Sequence, residues 1–341
     1  MKLLSLPMKA IRKVAHYLFR KKTTLRIGRE LNLDSVALND INPNYGDWFV
    51  HPCVRYIEQG FAGHKWWMVV TPYPNGNSKY ENPVLYHGET ETEEPPINWT
   101  MVGIVQDSHP EGGYNADGNI LYLDGKLWII WKENDTNNTR KESGYRVIMG
   151  CYYDGMSFSK PQVFAHNPDD KSMYLAAPVL YKTERGLKML GVYSPVMGDN
   201  IPGKEKKPRS IAVFSIEDNS IQNIPFKFDF IAPQEYYTGF DFWHIDCFEG
   251  AGKHYCLVTP ESGNEILLGE SSDGLSYKFF DTPLLHANGH DRVTYMYKPS
   301  GVLVGNRFHL FYPHKLNKEK VHIFCTSIEF DKLLIKLEKC Q

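Results

Sequence analysis

Acidic, imidazole and aromatic side chains recur at the two ends of apolar, strand-like runs. The candidates lie where one such run begins or where the next run along the chain ends. They are His51, Tyr73, Glu81, Asn82, Asp117, Glu133, Trp243, His244, Asp246 and Lys298. Aromatic rings stack on the C–H faces of sugars, and carboxylates accept hydrogen bonds from sugar hydroxyls. A pair of carboxylates can also transfer protons at a glycosidic bond. Together these residue types predict a carbohydrate site.

Within this set we assign two roles. The acids that we expect to act in catalysis are Asp117, Asp246 and Glu133. The residues that we expect to contact the substrate are His51, Tyr73, Glu81, Asn82, Trp243, His244 and Lys298. Plainer alternatives stay open, because an Asp before Gly can cap a turn and a buried histidine can be structural.

The same histidines and acids could also hold a metal ion. No metal-binding spacing motif occurs, however, and the six cysteines are scattered without a Cys-x-x-Cys pair. We therefore predict no metal and no other cofactor. We expect the cysteines to be reduced thiols of a cytoplasmic protein.

These residues must be positioned by many short strands. From residue 47 onward, a short segment that begins a strand, called an opener here, is followed by a hairpin. This pattern occurs five times, near His51, Asp117, Ala177, Asp246 and Lys298, at intervals of about sixty residues. A tight Asp-Gly-x-x-aromatic turn occurs at 154–158 and at 273–277, and Asp-Gly is a strong hairpin signal because Gly accepts a positive φ. Five units of four strands predict an all-β fold, a five-bladed β-propeller.

In a propeller, the first strand of each blade begins at the ligand-binding face, and the second strand returns to it. The candidate residues would then share one rim, whereas Asp154 and Asp273 would lie in structural turns on the far side. Either residues 25–38 or residues 321–330 could close the ring. A β-sandwich is the alternative fold, although it would not need so regular a spacing.

The chain has a basic beginning and an acidic body. Residues 1–29 carry nine Lys and Arg and no acid, whereas the rest carries 29 basic and 40 acidic side chains. Residues 8–22 show helical spacing of apolar residues. We therefore predict a basic N-terminal helical segment, 1–29, ahead of a propeller spanning 30–341, and the segment could lie on an anionic membrane surface at the inner face. An ordinary surface helix or a loose tail is the alternative.

Two further classes are disfavoured. The net charge of −2 argues against a nucleic-acid binder. We find neither a signal-peptide pattern nor an apolar run of the length that spans a bilayer, which favours a cytoplasmic location.

Four motifs carry a resemblance to a known group of proteins. They are His-Pro at 51–52, Trp-Trp-Met-Val-Val-Thr-Pro-Tyr-Pro at 66–74, Glu-Asn-Pro at 81–83 and Trp-His-Ile-Asp at 243–246. Across about residues 47–330 the chain resembles the five-bladed β-propeller glycosidase superfamily, which includes arabinanase/β-xylosidase-like and invertase-like enzymes. It looks like a branch associated with bacterial surface-polysaccharide genes and phage.

This resemblance implies three acids, one at each of the first three openers. In the superfamily they are an Asp that acts as base or nucleophile, an Asp that modulates acidity, and a Glu that acts as general acid. The present chain has His51, Asp117 and Ala176-Ala177 at these positions. A glycosidase would therefore have to use Asp246 together with an acid from the segments that follow the second strands of the blades. The candidates for that acid are Glu133, Glu81 and Glu261.

Three functions stay open on the sequence. The first is a glycoside hydrolase or transglycosidase that acts on a bacterial surface polysaccharide. The second is a non-catalytic module that binds an oligosaccharide, a polysaccharide or a lipid-linked sugar. The third is a scaffold that binds a protein partner through the same face.

Overall fold

The computed structural model shows a five-bladed β-propeller, as the repeat predicts. The residues that it describes are 34–35, 37–39, 48–90, 92–107, 113–134, 146–166, 174–194, 209–235, 241–260, 265–286, 296–315 and 321–339. The basic segment 1–29 lies outside this part of the chain, so its helical character stays a prediction.

In chain order, the described strands and the one α-helix among them are β1 (Asp34–Ser35), β2 (Ala37–Asn39), β3 (Phe49–Phe61), β4 (His64–Pro72), β5 (Val84–Gly88), β6 (Asn98–Ile104), β7 (Tyr114–Leu123), β8 (Lys126–Asn134), β9 (Arg146–Tyr153), β10 (Gln162–His166), β11 (Tyr174–Thr183), β12 (Gly186–Ser194), β13 (Ser210–Ser215), β14 (Lys227–Ile231), β15 (Gln234–Glu235), β16 (Phe242–Gly250), β17 (Lys253–Pro260), β18 (Glu265–Ser271), β19 (Tyr277–Phe279), β20 (Leu285–His286), β21 (Ser300–Val304), β22 (Arg307–Lys315), β23 (Val321–Glu329) and α1 (Phe330–Glu338).

Each blade is an antiparallel sheet of consecutive strands. Blades 1, 2 and 3 are β3–β6, β7–β10 and β11–β14. Blade 4 is β16–β19, with β15 paired on β19 and β20 paired on β18, and β2 runs parallel to β6 outside blade 1. The first strands of neighbouring blades contact one another around the whole ring, from β3 through β7, β11, β16 and β21 back to β3. These five strands line the centre.

Blade 5 closes the ring with strands from both parts of the chain. Its β21, β22 and β23 follow blade 4, and β1 adds the outermost strand by pairing Asp34 with Cys325 and Ser35 with Phe324. The closing strand therefore comes from the first of the two segments that the sequence offered. The second segment supplies β23, the strand on which β1 pairs.

The core is divided between the blades. The buried apolar side chains of the described residues form five clusters, each made by two neighbouring blades. Blades 1 and 2, for example, share Val69, Trp67, Ile129 and Trp131. Such sheet-on-sheet packing explains why the strands are apolar on both faces.

A C-terminal helix is the main element that the sequence analysis did not anticipate. The apolar run expected to continue as a strand to residue 330 changes to α1 at Phe330, and Phe330, Leu333 and Leu337 pack on blades 4 and 5. Their spacing of three and four residues is the helical period. No helix among the described residues is long and apolar enough to cross a membrane.

Candidate functional site

The first strands of blades 1, 2 and 3 share one backbone feature. His51, Asp117 and Ala177 all have left-handed conformations, with φ of 56°, 61° and 46°. Such a conformation costs a non-glycine residue about 1–2 kcal/mol. At each of these points the register against the second strand slips by one residue. A bulge of this kind re-aims a side chain, so the three openers are structurally equivalent, as the repeat predicted.

Asp117 stands at the centre of the candidate site. Its Oδ2 accepts a hydrogen bond from the backbone N–H of Ala177 at 3.1 Å and lies 3.1 Å from Nζ of Lys132. Its Oδ1 faces Nε2 of His51 at 3.5 Å and Nε2 of His244 at 3.4 Å. Residues from four blades therefore meet around one carboxylate.

The two histidine distances fit shared metal ligation better than hydrogen bonding. N–H···O hydrogen bonds span about 2.7–3.2 Å, whereas adjacent ligand atoms of a tetrahedral zinc site lie roughly 3.3 Å apart, since each is about 2.0–2.1 Å from the ion. The candidate ligand atoms of His51, Asp117 and His244 all lie within 4.8 Å of one another. Within the described residues, Oδ1 of Asp117 has no donor at an ordinary hydrogen-bond distance, although His244 at 3.4 Å is near enough to help lower its pKa. These residues therefore fit a divalent cation.

The protonation states also suit ligation. Burial lowers the pKa of His51 well below its usual value, and it lowers the pKa of His244 as well. Both rings are therefore neutral and can offer a lone pair. Burial alone would raise the pKa of Asp117, but the ammonium of Lys132, with smaller contributions from His51 and His244, outweighs it and holds that pKa well below the usual range. Asp117 is therefore an ionised ligand.

Glu81 is a second acid beside this cluster. Its Oε1 lies 3.9 Å from Nδ1 of His51, on the side of the ring opposite Asp117. Burial raises the pKa of Glu81 to about 8, although Lys132 opposes the shift. A carboxyl group in this range can both take and return a proton near neutral pH.

Aromatic rings border the cluster on one side. The half-buried Trp243 stacks on His244, with ring centroids 5.4 Å apart and an interplanar angle of 14°. Tyr297 meets the edges of both His51 and Trp243, at centroid distances of 5.6 Å and 5.9 Å. Trp243 thus lies beside His244, its role in stacking on a substrate stays a prediction, and Tyr297 is a further ring at this place.

A second pair of aromatic side chains lies near Glu81 and Lys132. Nζ of Lys132 lies 5.5 Å from the ring centroid of Tyr114. Burial raises the pKa of Tyr73, and the neighbouring Glu81 and Tyr114 add to the shift. Tyr73 therefore lies near Glu81, and its role in substrate contact stays a prediction.

Asp246 lies in a buried network that joins the first strands of the blades. Its two oxygens accept hydrogen bonds from both terminal nitrogens of Arg55, at 2.7 Å and 3.1 Å, and from the hydroxyl of Ser300, at 2.8 Å. The amides of Asn119 and Gly301 donate to it as well. The carboxylate is fully buried and its acceptor positions are occupied. This geometry favours a structural role for Asp246 over the catalytic role that we assigned from the sequence.

Lys298 is also placed differently from the sequence-based expectation. It is fully buried, and its Nζ donates to the backbone oxygens of Asp117 and Gly118, at 3.3 Å and 2.6 Å. Burial lowers its pKa. In this structure Lys298 holds the left-handed opener that presents Asp117, and the geometry favours this support over direct contact with a substrate.

Glu133 and Asn82 have less direct positions. Glu133 follows Lys132 in β8, and successive side chains in a strand point to opposite faces, so it points away from the side on which Lys132 meets Asp117. Asn82 is buried and its Oδ1 accepts a hydrogen bond from Nδ2 of Asn115 at 2.9 Å. Their assigned roles in catalysis and substrate contact stay predictions.

The sequence analysis assigned no role to Lys132 or to the backbone of Ala177. Lys132 stands in the same exit segment as Glu133, and periodicity alone did not say which of the two points inward. The N–H of Ala177 had no sequence signal, because any residue except proline offers one.

The far-side turns behave as expected. Oδ1 of Asp154 accepts from the backbone N–H groups of Met156 and Ser157, and Oδ1 of Asp273 caps its own turn in the same way. Both acids are therefore structural. None of the cysteines in the described ranges forms a disulfide.

Comparison with known proteins shows likeness in fold. No protein-family model and no curated protein matches the sequence. Among solved structures, an N-acetylgalactosamine deacetylase from F. plautii, in complex with blood group B trisaccharide, has a TM-score of 0.70 and 14% identity over 90% of this chain and 96% of that one.

Two glycoside hydrolases are similar in the same way. A GH43_1 enzyme from Xanthomonas citri complexed with xylotriose has a TM-score of 0.61 and 10% identity, over 88% of this chain and 91% of that chain. A family 117 enzyme from the marine bacterium Zobellia galactanivorans has a TM-score of 0.56 and 9% identity, over 88% and 90%. The expected five-bladed propeller fold, with glycoside hydrolases among its structural neighbours, is confirmed.

Proposed function

We propose that this protein is a carbohydrate-active hydrolase that removes an acyl group from an amino sugar, with a divalent metal ion held by His51, Asp117 and His244. The single observation that supports it most is the position of the two Nε2 atoms, 3.5 Å and 3.4 Å from Oδ1 of Asp117, which has no donor at an ordinary hydrogen-bond distance among the described residues. The likeness to a deacetylase of N-acetylgalactosamine over 90% of the chain adds support.

The three side chains are already in the state that ligation requires, because the rings are neutral and the carboxylate is ionised. A divalent ion at this point would polarise an acyl carbonyl and lower the pKa of a bound water. Lys132 and the N–H of Ala177 hold the other oxygen of Asp117, so the carboxylate is fixed in one orientation.

Glu81 would move the proton. In hydrolysis of an amide, a bond forms between water oxygen and the acyl carbon, and the bond from that carbon to nitrogen breaks. Glu81 would take the proton from water and pass it to the leaving nitrogen, so the products are a carboxylate and an amino sugar. Its position beside His51 suits this transfer, and the ionised form that takes the proton becomes more populated as the pH rises toward its pKa of about 8.

The depth of the cluster favours a substituent over a glycosidic bond as the reacting group. The side chains of His51, Asp117 and His244 are almost completely buried, so a sugar ring would stay above them. Trp243 and Tyr297, which contact His244 and His51, are only half-buried and so reach closer to the surface. An acyl arm could then reach down to the cluster while the ring stacks on the aromatic side chains.

Hydrolysis of a glycosidic bond is the second candidate. Asp117 is ionised whereas Glu81 keeps its proton to about pH 8, and a pair of acids separated in this way can serve as base and acid. The alanine at the third opener and the engaged oxygen of Asp117 weigh against it. The bacterial surface polysaccharide, the cytoplasmic location and membrane contact through residues 1–29 stay predictions.

One experiment separates these functions. The protein is incubated with methyl glycosides of N-acetylgalactosamine and N-acetylglucosamine and with a panel of oligosaccharides, with Zn²⁺ or Mn²⁺ added or with EDTA. We expect acetate release that needs the metal and is lost in Asp117→Asn. New reducing ends without acetate would favour the glycosidase. Binding of the sugars without either product would favour the non-catalytic module. The absence of both binding and turnover would overturn the proposal.

A further inference from the structure

We propose that Asn115 is a positioning residue that fixes Glu81 beside the metal ligands, so that one strand places both Asp117 and the proton-transferring acid. The inference rests on the proposed function, because it assigns Glu81 a catalytic role. It concerns a buried amide that, in the described contacts, touches neither the candidate metal ligands nor Trp243 and Tyr297.

Glu81 is carried by a loop and needs an external anchor. The loop leaves β4, forms two short 3-10 turns at Pro74–Gly76 and Ser78–Tyr80, and enters β5 at Val84. Glu81 and Asn82 lie between these turns and β5, outside any strand. Loops are more mobile than the strands they join, so holding a carboxyl at one place requires contacts from a rigid element.

Asn115 supplies two such contacts from β7. Its backbone N–H donates to the carbonyl oxygen of Glu81 at 2.7 Å. Its side-chain Nδ2 donates to Oδ1 of Asn82 at 2.9 Å. Two successive loop residues are therefore attached to one strand residue, and that residue is two positions before Asp117.

Asn115 is itself fixed from behind. Nε1 of the fully buried Trp131 donates to Oδ1 of Asn115 at 3.2 Å, and Nδ2 of Asn115 also reaches the carbonyl oxygen of Asp107 at 3.2 Å. The tryptophan orients the amide so that its NH₂ group faces the loop. The chain of contacts thus runs from β8 through β7 to the segment that carries Glu81.

The structure offers a matched pair of tryptophans for the test. Trp131 and Trp128 both lie in β8 and are both buried, but Nε1 of Trp128 has no hydrogen-bond partner among the described residues. Trp131→Phe removes the hydrogen bond to Asn115, and Trp128→Phe makes the same change in size without it. Both variants should lose similar thermal stability.

The measurements are kcat and KM for acetate release from the methyl glycoside of N-acetylgalactosamine, with the Kd for Zn²⁺ measured alongside. We expect kcat to fall about ten- to hundredfold in Trp131→Phe, as for a displaced catalytic group, with KM and the Kd for Zn²⁺ close to those of the wild type. Trp128→Phe should keep the wild-type kcat. Equal kcat losses in the two variants, or a wild-type kcat in Trp131→Phe, would overturn the inference.

Hydrogen exchange tests the same contact without turnover. If the wild type releases no acetate, the proposed function fails, but the amides of Glu81, Asn82 and Asn115 still report on the anchor. They should exchange about fivefold faster in Trp131→Phe than in Trp128→Phe, which is the effect of losing one ordinary hydrogen bond. Equal exchange in both variants would show that Asn115 does not depend on Trp131 to hold the loop.

Discussion

Nε2 of His244 lies 3.4 Å from Oδ1 of Asp117, a distance set by two different blades. We expect the wild type to bind Zn²⁺. Asp117→Asn or His244→Ala should raise the Kd for Zn²⁺ by at least about a hundredfold, because loss of even an outer partner of a metal ligand lowers metal affinity 10–100-fold. Isothermal titration calorimetry gives the Kd. His64→Ala is the control, since His64 stacks on His87 instead. A wild type that takes up neither Zn²⁺ nor Mn²⁺ would contradict the site.

Glu81 should be needed for turnover but not for metal binding. We expect Glu81→Gln to lower kcat by about 10²–10⁴-fold, the usual contribution of a general acid or base. The Kd for Zn²⁺ should stay within a few fold of the wild type, because Oε1 of Glu81 lies 3.9 Å from Nδ1 of His51, too far to be a hydrogen-bonded partner of that ligand. Acetate release measured by NMR gives kcat. Glu133→Gln belongs in the same assay. An inactive Glu133→Gln together with an active Glu81→Gln would restore the sequence-based assignment of Glu133.

Asp246→Asn should act through stability. The substitution leaves the guanidinium of Arg55 without its buried carboxylate, and breaking such a pair costs about 3–5 kcal/mol of unfolding free energy. Ser300→Ala removes one hydrogen bond to the same carboxylate and should cost about 1 kcal/mol. Urea unfolding of both variants gives the comparison. Native stability in Asp246→Asn combined with lost turnover would instead support a catalytic Asp246.

His309 should make the fold sensitive to mild acid. Burial lowers its pKa from 6.5 to about 4, and Arg307 adds to the shift. Below pH 6.5 the imidazole of His309 is protonated in the unfolded chain, whereas in the folded chain it stays neutral until about pH 4. The contribution of the neutral ring to folding stability is therefore complete above pH 6.5 and is lost as the pH falls toward 4. Between pH 7 and pH 5 the loss is about 2 kcal/mol.

His309→Phe tests this contribution, because the ring can still pack against Trp66. Its unfolding free energy in urea should fall less between pH 7 and pH 5 than that of the wild type, by about those 2 kcal/mol. The buried His51 and His244 titrate in both proteins and cancel in the difference. An unchanged pH dependence would mean that His309 does not contribute.

The basic segment should bind anionic membranes. Its nine Lys and Arg contribute about 1 kcal/mol each near an anionic surface, and high salt should weaken that attraction. Sedimentation with phosphatidylserine vesicles should carry down the full chain but not a variant that lacks residues 1–29. Neutral vesicles are the control. Equal sedimentation of both proteins would remove the membrane prediction.

The sequence predicted the architecture because every blade repeats the same physical problem. Each unit opens a strand at the rim, turns back through a hairpin, and buries both faces against its neighbours. The period of the repeat therefore places His51, Asp117 and Ala177 at equivalent positions, and the structure gives them one left-handed conformation. The nine-residue α1 was missed because its three buried residues continue an apolar strand.

The site was harder to predict, since its contacts cross between blades. Arg55 and Asp246 are 191 residues apart in the chain, so no local pattern shows that this acid is already paired. Lys132 and Glu133 are adjacent, and only the register of β8 against β7 says which one meets Asp117. Burial decides the protonation states of the site residues, because it keeps the histidines neutral and raises the pKa of Glu81.

The equivalent openers have a consequence for how this fold changes its chemistry over evolution. Each left-handed bulge is a backbone position that the neighbouring blades hold in place, so a point substitution can exchange the side chain there without changing the scaffold. The present chain fills these positions with an imidazole, a carboxylate and a methyl group, at His51, Asp117 and Ala177. A propeller built this way can pass between reaction classes by few mutations, while its overall shape changes little.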